Sequence, residues 1–97
     1  MDKLLLQWIS EWKDKLLAKG IVTDEIFSIE NDVDEPCVRI DQSTEVCIGR
    51  ICAWKNGTID LEVLDIESEK QLMMAHYEEQ KNIQYLIEPY LKVILKN

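Results

Sequence analysis

The chain has 97 residues, 46% of them hydrophobic and 31% charged, with a formal net charge of −8 at pH 7. That length gives one domain with room for a core, and the negative balance argues against nucleic acid or anionic membrane as partner and for something basic. No apolar run approaches the length needed to span a bilayer, and the start, Met1 to Trp8, is soon broken by charge and lacks a small-residue cleavage site, so no signal peptide is expected.

The first predicted element is a helix from Lys3, with Asp2 as its cap. Leu5, Trp8, Ile9, Trp12 and Leu16 recur at helical spacing, so they form one apolar stripe. Lys13, Lys15 and Lys19 gather where the helix dipole favours cations, and Gly20 supplies the stop. A strand is expected near Glu25–Glu30, then an acidic turn over Asn31–Pro36. Cys37–Asp41 reads as a second strand with Val38 and Ile40 on one face, and Glu45–Trp54 as a third.

Asn56-Gly57 tolerates positive φ at both residues, as a two-residue type I′ hairpin requires. That turn sets Trp54 opposite Ile59, Cys52 opposite Leu61 and Arg50 opposite Val63. Ile59, Leu61 and Val63 alternate with Asp60 and Glu62, so the fourth strand is half-buried. The same register leaves Arg50 on the apolar face. Two resolutions stay open: a diagonal pairing with Asp65, or a bulge at Gly49 that turns Arg50 outward. After a turn at Glu67–Lys70, Gln71–Glu78 reads as a fifth strand. Ile83, Leu86, Ile87, Tyr90, Leu91, Ile94 and Leu95 trace a second helical stripe, interrupted by Pro89, which should kink it. The predicted fold class is α+β: an antiparallel five-stranded meander sheet with the N- and C-terminal helices packed on one face. No repeat or linker divides residues 1–97.

Charge is unevenly placed. Residues 24–69 hold thirteen carboxylates against Arg39, Arg50 and Lys55, while both flanking segments are slightly basic. If Val38, Ile40, Ile59 and Leu61 face the helices, alternation sends Asp41, Asp60 and Glu62 to the other side. Asp32, Asp34 and Glu35 in the acidic turn, and Asp65, lie at sheet ends and extend that patch. Trp54, beside the hairpin tip, is the aromatic best placed to anchor a partner. These eight residues are the candidate partner-binding set. The competing reading is a solvated polar face that only keeps the protein in solution.

Nothing in the sequence points to catalysis. His76 is the one histidine, there is no nucleophile elbow or phosphate-binding glycine loop, and the acidic turn lacks the glycine and distant glutamate of a calcium loop. No enzyme activity, cofactor or metal is expected. Cys37, Cys47 and Cys52 are odd in number and form no C-x-x-C pair. They read as small buried hydrophobes in a reducing cytoplasm.

Trp54-Lys55-Asn56-Gly57-Thr58-Ile59-Asp60-Leu61-Glu62-Val63-Leu64-Asp65 leads through Glu69-Lys70-Gln71-Leu72-Met73-Met74-Ala75-His76-Tyr77 to a terminal helix rich in Leu and Ile. Together with the N-terminal Leu/Trp helix, this pattern resembles the small immunity proteins of bacterial contact-dependent growth-inhibition systems, and among them the TriTu immunity group. The toxins of that group are associated with translation elongation factor Tu and attack transfer RNA. The resemblance implies a monomeric, non-enzymatic inhibitor whose partner is a cognate toxin domain, a basic nuclease, in a complex that can include elongation factor Tu. It transfers no site residue. An acidic domain suits that partner, because a nuclease that grips RNA presents Lys and Arg to phosphates. The alternative is a small acidic secretion chaperone, which would work as a homodimer around an extended effector segment.

Overall fold

The structure, a computed structural model, describes residues 1–29 and 35–96. Asp32 and Asp34 of the predicted acidic turn lie outside the described residues. The elements run α1 (Asp2–Ala18), β1 (Val22–Ile29), β2 (Cys37–Ser43), β3 (Cys47–Trp54), β4 (Ile59–Asp65), β5 (Gln71–Tyr77) and α2 (Gln84–Ile94). The strands form one antiparallel sheet in sequence order. α1 lies over β1–β3 and α2 over β3–β5, on the same side of the sheet. The expected fold class is the observed one.

α1 buries Leu5, Trp8, Ile9 and Leu16, while Trp12 is half-buried at the margin. It begins one residue before the predicted start. Met1 takes the cap position and no side chain caps the helix, so Asp2 is the first helical residue rather than the cap. Its end is as the sequence reads. Gly20 has φ +94°; its N–H donates to the Leu17 carbonyl and that of Ile21 to the Leu16 carbonyl, both at 2.9 Å. This paired pattern satisfies two carbonyls at the helix end and presses Ile21 against Leu16, both buried.

The β3–β4 hairpin differs from expectation by one residue. The Gly57 N–H donates to the Trp54 carbonyl at 3.0 Å, and the Trp54 N–H to the Thr58 carbonyl at 2.9 Å. Gly57 has φ +97°, whereas Asn56 keeps a negative φ. Lys55–Gly57 is therefore a three-residue connection closed by a left-handed glycine, not a two-residue type I′ turn. Ala53 pairs with Ile59, Ile51 with Leu61 and Arg50 with Glu62. A one-residue shift turns every β3 side chain over. Cys47, Gly49, Ile51 and Ala53 point to the helices, and Ile48, Arg50, Cys52 and Trp54 point away. Arg50 is thus outward without a bulge at Gly49, and Asp65 is not its partner.

The core joins Val38, Ile40, Ile51, Ile59, Leu61 and Val63 to Ile87, Tyr90 and Ile94 of α2 and the α1 stripe. Of the three cysteines, all free, only Cys47 belongs to it; Cys37 and Cys52 are half-buried on the opposite face. One polar relay crosses the core. The Tyr90 hydroxyl donates to Gln42 Oε1 at 2.8 Å, and Gln42 Nε2 donates to Thr23 Oγ1 at 3.2 Å. Gly49 faces α2 so closely that a Cβ there would collide with the Tyr90 hydroxyl and sit 2.6 Å from Ile94 Cδ1.

Candidate functional site

Because both helices lie on one side, the other side of the sheet has no helix over it among the described residues. Strand register arranges its side chains in rows. One row runs Glu25, Asp41, Arg50, Glu62, Met74 from β1 to β5; the next runs Phe27, Arg39, Cys52, Asp60, His76. Ile29, Cys37 and Trp54 begin a third row at the hairpin end.

The charges in these rows are partly matched within the face. Asp41 accepts from Arg50 Nε at 2.8 Å and lies 3.4 Å from Arg39 Nη2. The Arg39 guanidinium is 4.1 Å from the Phe27 ring centroid, a cation–π contact that fixes its plane. The Asp41 hydrogen bond pushes the Arg50 pKa further above its already high ordinary value. On β4, Asp60 meets His76 Nδ1, and His76 Nε2 lies 3.2 Å from Glu78. Those two carboxylates, Asp60 foremost, raise the imidazole pKa above its ordinary value. Glu62 receives one weak bond, from Gln71 Nε2 at 3.4 Å, and pairs with no lysine or arginine within salt-bridge distance among the described residues.

The structure therefore brings together four of the predicted residues: Asp41, Asp60, Glu62 and Trp54. Glu35 stands at the hairpin end of the same region, accepting the Asn56 N–H at 2.7 Å and lining a shallow depression with Trp54, Asp60, His76 and Glu78. Asp65 does not join them. It ends β4 on the helix side, 8% exposed, lies 2.5 Å from Lys96 Nζ and accepts from the Ser68 N–H and hydroxyl at 2.9 and 2.7 Å. Those bonds hold its carboxyl well below the usual carboxylate range, with Lys96 the first cause. Its role is to tie the β4–β5 turn to the end of α2.

Arg39, Arg50, Phe27, Met74 and His76 are among the residues of this face that the candidate set left out. Arg39 and Phe27 had a signal. Arg39 alternates with Val38 and Ile40, and so had to point the same way as Asp41. Arg50 was hidden by the misread turn.

A model of the TriTu immunity-protein family matches residues 3–96, from the first turn of α1 to the end of α2. The chain belongs to the TriTu family of immunity proteins. No curated protein matches it. An immunity protein implies a cognate toxin as partner, and such proteins are in general non-enzymatic. The open face offers Arg39 over the Phe27 ring, Arg50 held by Asp41, Glu62 without a salt bridge among the described residues, and the half-buried Trp54. No helix among the described residues is long and apolar enough to cross a membrane.

Proposed function

We propose that this immunity protein neutralises a basic, RNA-cleaving toxin domain by seating the open sheet face on it. The observation that carries the proposal is Glu62 beside Asp60 on the open sheet face: Glu62, across the ladder from Arg50, makes no salt bridge among the described residues while Arg50 is turned to Asp41, and Asp60 meets only His76. A toxin cation meets a carboxylate without a salt bridge at Glu62, whereas at Asp41 it would compete with Arg39 and Arg50 and at Asp60 with the His76 imidazole. The acidic docking surface expected from sequence thus narrows to its β4 half, with Trp54 and Glu35 at one end. The proposal keeps Asp41 as a holder of the two arginines, so that the β1–β3 half contributes shape and fixed guanidinium groups.

Most charges at such an interface act at the rim and contribute little individually. A carboxylate buried at its centre is different, because truncation leaves a toxin cation unpaired at a cost of about 2–5 kcal/mol. Long-range attraction also speeds capture, which matters for an inhibitor that must intercept a toxin newly arrived in the cytoplasm. Delivery by contact-dependent growth inhibition and a complex with elongation factor Tu are part of this proposal, and rest on the resemblance of the sequence to that toxin-immunity group. The family match favours this reading over the secretion-chaperone alternative.

Asp60→Lys with Glu62→Lys tests it, once an unchanged thermal melt shows the fold intact. Association with the toxin slows, its salt dependence weakens and cells lose protection. Unchanged affinity at both low and physiological salt removes this face from consideration.

A further inference from the structure

The sheet has two edges, and they are guarded differently. β1 lies within the acidic block and carries Asp24 and Glu25, with an irregular register between Thr23 and Glu25. β5 holds no Asp, Glu, Lys, Arg, Pro or Gly in its seven residues, Gln71–Tyr77. Its irregularity is confined to the start, between Gln71 and Met73, and leaves Met73–Tyr77 in regular pairing with β4. Met74 is 61% exposed, and Leu72 and Tyr77 are also exposed. Charges, prolines and bulges are the ordinary means of keeping an edge strand from pairing with another chain. β5 has no proline and no lysine, arginine or carboxylate along its whole length, and His76, turned to Asp60 of β4, is its one titratable side chain apart from Tyr77.

The free backbone groups of this edge can be placed. The Trp54 N–H bonds the Thr58 carbonyl at the closed end of the β3–β4 hairpin, and the Asp65 N–H bonds the Lys70 carbonyl at the far end of β4. Antiparallel ladders alternate. The amides of Asp60 and Glu62 are therefore directed to β3, and those of Ile59, Leu61 and Val63 to β5. Their partners on β5 are Tyr77, Ala75 and Met73. The N–H and C=O groups of Met74 and His76 consequently point outward from the sheet.

We propose that β5 is a self-association edge, on which a second copy of this chain adds its own β5 in antiparallel register about Met74. That register sets Met74 against Met74 and Leu72 against His76. It brings Lys70 of each copy near Glu78 of the other, so opposite charges meet at both ends of the seam. Glu69 and Glu79 lie beyond the strand, in turns, each with positive φ. Charge placement supports a second copy over other occupants. Residues 70–97 are slightly basic in sum, so β5 stands outside the block that gives the chain its negative charge. Two copies meeting here join through strands that carry no carboxylate, with Asp60 and Glu62 of each copy one strand back from the seam. A two-fold axis normal to the sheet would also place both open faces on the same side of a continuous ten-stranded sheet. The proposal departs from the monomer that the sequence reading expected.

Sedimentation velocity over a wide concentration range, with amide hydrogen exchange at low and high concentration, tests the proposal on the full chain. The expected result is a concentration-dependent dimer with added protection at Met74 and His76 and none along β1. Met74→Pro removes an outward N–H that β4 does not use, so the fold should tolerate it while the dimer is lost. Met74→Lys gives the same loss without touching the backbone, and covers the case in which the proline variant fails to fold. A monomer at every concentration overturns the proposal, as does a dimer that survives the lysine substitution. So does protection of these amides only when toxin is added, which would assign the edge to a toxin strand.

Discussion

The two faces of the sheet are built from alternate residues of the same strands, yet they obey different rules. On the helix side, Ile51, Leu61 and Val63 are fully buried, and side-chain volume decides what fits. On the open side, Arg50, Glu62 and Asp60 are their immediate neighbours in sequence, and charge pairing decides what the surface can meet. A shift of one residue along the chain crosses from one regime to the other. The face that holds the fold together and the face available to a partner can therefore change independently.

The sharpest way to break this comparison is to truncate neighbours. Ile51→Ala empties a fully buried site and should cost about 2–5 kcal/mol, read as a lower denaturant midpoint. Glu62→Ala, across the ladder from Arg50, should stay within about 0.5 kcal/mol. Similar losses at both positions would mean that the open face is also structural.

A smaller loss tests the polar relay through the helix side. Tyr90→Phe removes the donor to Gln42 and leaves an acceptor unsatisfied in the core, at a cost of about 1–3 kcal/mol. Gln42→Leu with Tyr90→Phe removes both ends of that bond and should recover part of the loss.

The smallest effect is on the open face and depends on pH. His76 binds its proton more tightly in the folded chain, through Asp60 and then Glu78. Its contribution to stability is fully present below the unfolded pKa, about 6.5, and fades as pH rises through the higher folded value. His76→Asn should flatten that part of the stability–pH curve, and an NMR titration of the imidazole should show the raised pKa directly. A titration at the ordinary value would remove Asp60 as its partner.

Much of this was legible in the sequence because amphipathic periods are long-range averages. The α1 stripe and the alternation of Ile59, Leu61 and Val63 each repeat several times, so the helix and strand assignments and the sheet order survive a local error. The β3–β4 register does not have that protection. Asn56-Gly57 suits a two-residue turn, and Gly57 alone suits a three-residue one. The choice depends on which β3 residues can pack beneath the helices. Cys47, Gly49, Ile51 and Ala53 are small or aliphatic, while Arg50 cannot be buried unpaired; that conflict was the available clue. Asp65 was unreadable for a different reason. Its partner, Lys96, is far along the chain, and only the packing of α2 brings the two together.

Gly49 works as a keyway for α2. The missing methyl group leaves a notch in β3, and the Tyr90 hydroxyl and Ile94 side chain occupy it. Along the same side of the strand, Cys47 and Ile51 stand on either side of that notch. If α2 slid by one turn, about 5.4 Å, Tyr90 would meet a filled position instead. The helix is thereby indexed on the sheet at a single setting, much as a notch fixes a shaft against rotation. The alignment of the C-terminal helix is written in the one β3 residue that has no side chain.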